Sequence, residues 1–92
     1  MIKSFKHKGL KIFFERGTIK GIQAKHKAKL KIILDYLDAM ENIEDINIQA
    51  LKLHLLEPKH YKIYSVCVSG NWRITFEFKD NNVYIVDYLD YH

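Results

Sequence analysis

His54, Arg73 and the final triplet Asp90-Tyr91-His92 supply two imidazoles, a guanidinium, a carboxylate and a phenol. That set suits phosphodiester chemistry. Cleaving RNA by its own 2′-hydroxyl needs a base for the hydroxyl proton, a cation for the crowded phosphorane and an acid for the departing 5′-oxygen. Imidazole titrates near neutrality and suits either proton role. Arginine offers a planar fork that matches two phosphate oxygens, and tyrosine can stack on a base or donate a proton. Residue types alone leave open which imidazole is base and which is acid. Each residue also has an ordinary reading: His54 as a surface imidazole, Arg73 as a solvated or ion-paired side chain, the last three residues as a frayed end. Taken singly, none is specific.

Positioning such a set falls to the elements that carry it. From Leu51 the apolar period is two, with Leu51, Leu53 and Leu55 set against Lys52 and His54, and Pro58 closing the run. Tyr61 to Val68 is aromatic and β-branched. Ser69-Gly70-Asn71 is a turn signal, and Trp72, Ile74, Phe76 and Phe78 then alternate with Arg73, Thr75 and Glu77. Asp80-Asn81-Asn82 turns the chain into a last strand, Val83 to Tyr88. If the leucines and Trp72, Ile74 and Phe76 face a core, then Lys52, His54 and Arg73 share the other face.

Ahead of these strands the pattern is helical. Ile2 to Phe5 is short enough for an edge strand. His7 to Arg16 carries Leu10, Phe13 and Phe14 on one helical face, with Gly17 where a C-cap belongs. From Ala24 to about Glu41, Leu30, Ile33, Leu34, Leu37 and Met40 recur at the spacing of an amphipathic helix. Helices grouped before strands predict one α+β domain over residues 1–92, with an N-terminal strand and two helices on one face of a small antiparallel sheet. The other face is then partly open.

The chain has 92 residues, 48% of them hydrophobic, which excludes a disordered chain and leaves room for a single core. One cysteine, Cys67, excludes an internal disulfide framework and fits a reducing compartment. It reads as a small core residue, since the sequence places no base beside it. No zinc-type Cys/His spacing, signal-peptide core or membrane-spanning apolar run is present, so a cytoplasmic protein needing no metal or other cofactor is expected. Charge is uneven. Residues 1–31 hold ten Lys/Arg against Glu15, a net +9, whereas residues 32–60 carry −4 and residues 61–92 carry −1. Lys3, Lys6, Lys8, Lys11, Lys25, Lys27 and Lys29 thus form a candidate surface for RNA phosphates; the alternative is a solvated lysine-rich face. His7, His26 and His60 match no site geometry and read as ordinary imidazoles.

Four stretches together resemble a known family: Met1-Ile2-Lys3-Ser4-Phe5-Lys6-His7-Lys8-Gly9-Leu10, Lys52-Leu53-His54, Asn71-Trp72-Arg73-Ile74-Thr75-Phe76 and Asp90-Tyr91-His92. The family is the HigB toxins of the RelE-like superfamily of bacterial toxin–antitoxin systems. The resemblance implies a microbial-RNase-like α+β fold and ribosome-dependent cleavage of messenger RNA in the A site of the 70S ribosome. It also implies a HigA-type helix-turn-helix antitoxin, with operator DNA reached only through that partner. His54 and Arg73 match the family's sheet histidine and arginine, and Asp90, Tyr91 and His92 its catalytic terminus. Where many members have Lys-Gly shortly after the histidine, this chain has Glu57-Pro58, leaving Lys59 or Lys52 to supply the local cation. Tyr64 stands where the family has tryptophan, and Cys67 where it has arginine. Two other readings keep the resemblance without the chemistry: a non-catalytic RNA- or ribosome-binding inhibitor of translation, and an inactive toxin acting only in an antitoxin repressor complex.

Overall fold

A computed structural model describes residues 1–56 and 63–90. Helix α1, Lys8–Arg16, is capped at both ends. His7 Nδ1 accepts the Leu10 N–H at 2.9 Å, and Gly17, at φ 77°, donates its N–H to the Phe13 carbonyl. Leu10 and Phe13 are buried and Phe14 half-buried against the same core. Helix α2, Lys27–Ala39, buries Leu30, Ile33, Leu34 and Leu37 along one face. The helical pattern read from Ala24 to Glu41 resolves into a 3-10 turn, Ala24–His26, followed by this shorter helix. No side chain caps its start and no acid stands in its first turn, so the opening residues take the tighter winding common at helix ends.

Between the helices, Gly21 lies directly on Gly9. A Cβ added at Gly9 would sit 2.8 Å from the Gly21 Cα, and one added at Gly21 would sit 2.5 Å from the Gly9 Cα. Only two glycines permit this backbone contact. It holds the connecting loop, and the turn bearing His26, against the first turn of α1.

The sheet is an antiparallel meander in the order β1-β2-β3-β4. Its strands are His54–Leu55, Ile63–Ser69, Trp72–Lys79 and Asn82–Asp90. Asp80 and Asn81 both have positive φ, 51° and 63°, as the tight β3–β4 hairpin demands. Val66, Val68, Ile74, Phe76, Val83, Val86 and Tyr88 join Leu10, Leu30, Ile33, Leu34 and Leu37 in one core cluster. The expected α+β arrangement, helices against one face of an antiparallel sheet, is therefore the one observed.

Three details depart from the sequence reading. The alternation from Leu51 to Leu55 is not one strand. Leu51 ends a 3-10 turn, Lys52 adopts φ 51° in the left-handed region, and only His54–Leu55 pair with β2. The left-handed residue breaks the pleat, so Leu51 is buried while Leu55 is 39% exposed. Second, Ile2 and Phe5 make separate parallel bridges to Val83 and Val86 instead of a continuous edge strand. The Ser4 hydroxyl accepts the Ile85 N–H at 2.8 Å between them, and the segment covers the edge of β4. Third, a bulge lies between Thr75/Glu77 of β3 and Tyr84/Asp87 of β4, with Ile85 at φ 50°. The extra residue lets Val83 and Val86, an odd number apart, both reach the core while Ile85 is turned outward.

Candidate active site on the open sheet face

Strand register builds the open face. His54 pairs with Ser65, Ser65 with Thr75, and Thr75 with Asp87, a row across all four strands. The next row is Cys67, Arg73 and Leu89. Directly paired residues project to the same side, and these rows lie opposite the side bearing Val66, Ile74, Phe76 and Tyr88. His54 and Arg73, read as sharing a surface, do share it. They are two strand spacings and one side-chain step apart, with β2 between them, about 12 Å between Cα atoms on sheet spacings.

Lys52, His54, Leu56, Ser65 and Arg73 line a shallow hollow of about 280 Å³. Arg73 Nη1 donates to the Gly70 carbonyl at 3.1 Å, which anchors one arm of the guanidinium on the β2–β3 turn. The Cys67 thiol, half-buried rather than a core residue, lies 3.9 Å from the same carbonyl. Ser65, only 5% exposed, forms the floor between His54 and Arg73. Sequence reasoning did not single out Ser65 or Leu56. Alternation places Ser65 on the polar face, but its position beside His54 depends on the β1–β2 register, which the intervening segment hides. Two cations and an imidazole around an open, phosphate-sized hollow can bind a phosphodiester and offer it a proton-transfer group.

Asp90 is the last residue of β4 and pairs with Trp72, next to Arg73 on β3. It is exposed and shares the strand parity of Tyr88, so it stands at Arg73's end of the sheet but leaves β4 toward the Trp72 side. Tyr91, His92 and Lys59, together with Glu57 and Pro58, lie outside the described residues.

The basic surface is real but spread. Lys3, Lys6, Lys8, Lys11, Lys25, Lys27 and Lys52 are exposed and Lys29 is partly so. Lys8, Lys11 and Arg16 rim a hollow of about 330 Å³ on α1. Lys27 and Lys31 rim another of about 260 Å³ where Phe13, Phe14 and Leu34 meet between the helices. Lys6 Nζ lies 3.9 Å from the Asp87 carboxylate, a loose pair that brings the N-terminal segment to the margin of the open face.

His26, read from sequence as an ordinary imidazole, is buried at 3% exposure with Nδ1 2.6 Å from the Tyr88 hydroxyl. Burial first, and the Lys25 charge second, lower its pKa from the usual 6.5. Burial raises the Tyr88 phenol above 10.0 against the smaller opposing effect of the Gln23 N–H.

The family model of the RelE-like toxin of the type II toxin–antitoxin system HigB matches residues 3–92. The chain belongs to that family. As a HigB-like toxin it is one half of a toxin–antitoxin pair. It is 44% identical over 92 residues to the Endoribonuclease HigB of Proteus vulgaris, covering all of both chains. It is also 43% identical over 60 residues to an uncharacterized protein of Haemophilus influenzae, covering 64% of this chain and 58% of that one. Among the described residues no helix of this HigB-like toxin is long and apolar enough to cross a membrane.

Proposed function

We propose that this HigB-like toxin is an endoribonuclease that cuts messenger RNA in the ribosomal A site and so halts translation in the cytoplasm. The observation that carries the reading is the hollow on the open sheet face, which Arg73, His54 and Lys52 line together. The full-length likeness to the Proteus vulgaris endoribonuclease supports it.

In the proposed reaction Arg73 holds the non-bridging oxygens of the scissile phosphate, and its charge offsets the charge that builds on the phosphorane. A base takes the 2′-hydroxyl proton, the 2′-oxygen bonds to phosphorus, and the bond to the 5′-oxygen breaks as an acid protonates the leaving group. The products are a 2′,3′-cyclic phosphate and a free 5′-hydroxyl. His54 and His92 are the proton-transfer pair, Asp90 orients His92 or the 2′-hydroxyl, and Tyr91 stacks on a base of the codon. Lys52 or Lys59 supplies the further cation that the family places where Glu57 stands. The lysines of the first 31 residues hold ribosomal RNA phosphates, and the ribosome supplies the in-line geometry. A HigA-type helix-turn-helix antitoxin neutralises the toxin and carries it to operator DNA.

The test is to map 5′ ends of cellular messenger RNA after induction of the toxin without an antitoxin. New ends in register with the reading frame support the proposal. Growth arrest without new ends contradicts it in favour of inhibition by occupancy, and normal growth leaves a toxin acting only in a repressor complex.

A further inference from the structure

Tyr88 is the meeting point of three elements at the end of the last strand. Its hydroxyl lies 2.6 Å from His26 Nδ1 and accepts the Gln23 N–H at 3.4 Å. Its ring is 4.7 Å from that of Trp72 on β3 and 5.4 Å from that of His7, the N-cap of α1. His26 stands edge-on to both Trp72, at 5.5 Å, and Tyr88, at 6.0 Å.

One assignment gives the phenol proton an acceptor. The Gln23 N–H donates to the phenol oxygen, and the phenol O–H donates to Nδ1, so the imidazole proton is assigned to Nε2. Nε2 is fully buried and has no hydrogen-bond partner among the described residues. A buried N–H without a partner is costly, and an apolar side chain of similar size would avoid the cost. The compensation for a histidine here lies in what Nδ1 holds.

We propose that His26, acting through Tyr88 and the Trp72 ring packed on it, is a positioning residue for the adjoining ends of β3 and β4, fixing the strand that carries Arg73 to the open face. The inference rests on the endoribonuclease reading above, because it needs Arg73 at the reacting centre. Asp90 is two residues beyond Tyr88 on the same strand face and pairs with Trp72, whose ring packs on Tyr88. A single hydrogen bond thus restrains the end of β4 and, through the Trp72 ring, the start of β3 beside Arg73 from the helical side, while the open face stays clear for RNA. Displacing a reacting group by about an ångström can cost as much as a hundredfold in rate.

The experiment measures kcat and KM for messenger RNA on programmed ribosomes with the unaltered toxin, Tyr88→Phe, His26→Leu and His26→Asn. Tyr88→Phe keeps the ring and removes the donor. His26→Leu fills the site without an acceptor, and His26→Asn places an amide oxygen near the position of Nδ1. The expected result is a kcat at least about tenfold lower for Tyr88→Phe and His26→Leu at unchanged KM, with His26→Asn restoring most of it. Amide exchange at Leu89 and Asp90 quickens in the first two variants and not in the third. An unchanged kcat in Tyr88→Phe, or equal losses in His26→Asn and His26→Leu, overturns the positioning role while leaving the endoribonuclease reading intact. An unaltered toxin that cuts no RNA overturns that reading itself, and this inference with it.

Discussion

His54 and Arg73 project from the same face of the sheet, separated by the single strand β2 and set diagonally across Ser65. Neither helps form the core on the other side. His54 is exposed and away from the core, so His54→Ala should cost less than about 0.5 kcal/mol of folding free energy, and Arg73→Ala, which loses a half-buried side chain's bond to the Gly70 carbonyl, about 1 kcal/mol. Both should nevertheless abolish growth inhibition. Thermal unfolding beside a growth assay checks this; a variant that unfolds instead marks its residue as part of the scaffold.

The Gly9–Gly21 contact sets a sharp steric expectation. Gly9→Ala drives a methyl into the Gly21 backbone, and overpacking of that kind costs about 1–3 kcal/mol. Gly17→Ala meets nothing within 4 Å and bears only the strain of φ 77°, about 1 kcal/mol. Urea unfolding should rank Gly9→Ala as the more damaging, and the reverse order would remove the contact from the account.

Lys27 begins α2, where a positive charge opposes the helix dipole and no acid offsets it. Lys27→Glu should therefore raise stability by about 0.3–1 kcal/mol while weakening ribosome association. Both effects shrink in high salt. Opposite signs for the two measurements are the signature of a cation retained for binding; a variant that binds ribosomes as well as its parent assigns Lys27 to an ordinary solvated face.

His26 predicts an acid limb of stability. Its folded pKa lies below the usual 6.5 because burial disfavours the charged ring. The unfolded chain therefore takes up this proton first as pH falls. The stability it contributes is complete above about 6.5 and declines below that value toward the folded pKa. Unfolding free energy measured between about pH 6.5 and 5 should slope less steeply in His26→Asn than in the parent. Parallel slopes would show that His26 titrates alike in both states.

Much of this was legible in the residues. Both helices, both glycine and asparagine turns and the meander follow from periods of 3.6 and two, whereas the shared face of His54 and Arg73, expected from alternation, is set by the β1–β2 register after the break at Lys52. Two things were not. Lys52 in a left-handed conformation and the bulge at Ile85 leave the polar/apolar count almost unchanged, yet each shifts the phase of the residues after it. His26 is one of five histidines, and its bond to Tyr88 joins residues 62 apart. No local pattern records such a contact, because only the packing of α2's leading turn against β4 creates it.

The central claim is that the open sheet face, with Arg73 at its centre, cuts RNA presented by the ribosome. The most direct measurement is the rate of cleavage of one messenger RNA, bound in programmed ribosomes and free in solution, by the unaltered toxin and by Arg73→Ala. Orientation alone can be worth about 7–11 kcal/mol, so the unaltered toxin should cut the ribosome-bound RNA at least about a hundredfold faster than the free RNA, and Arg73→Ala should cut neither. Equal rates on the two substrates, or an Arg73→Ala variant as fast as its parent, would contradict the account.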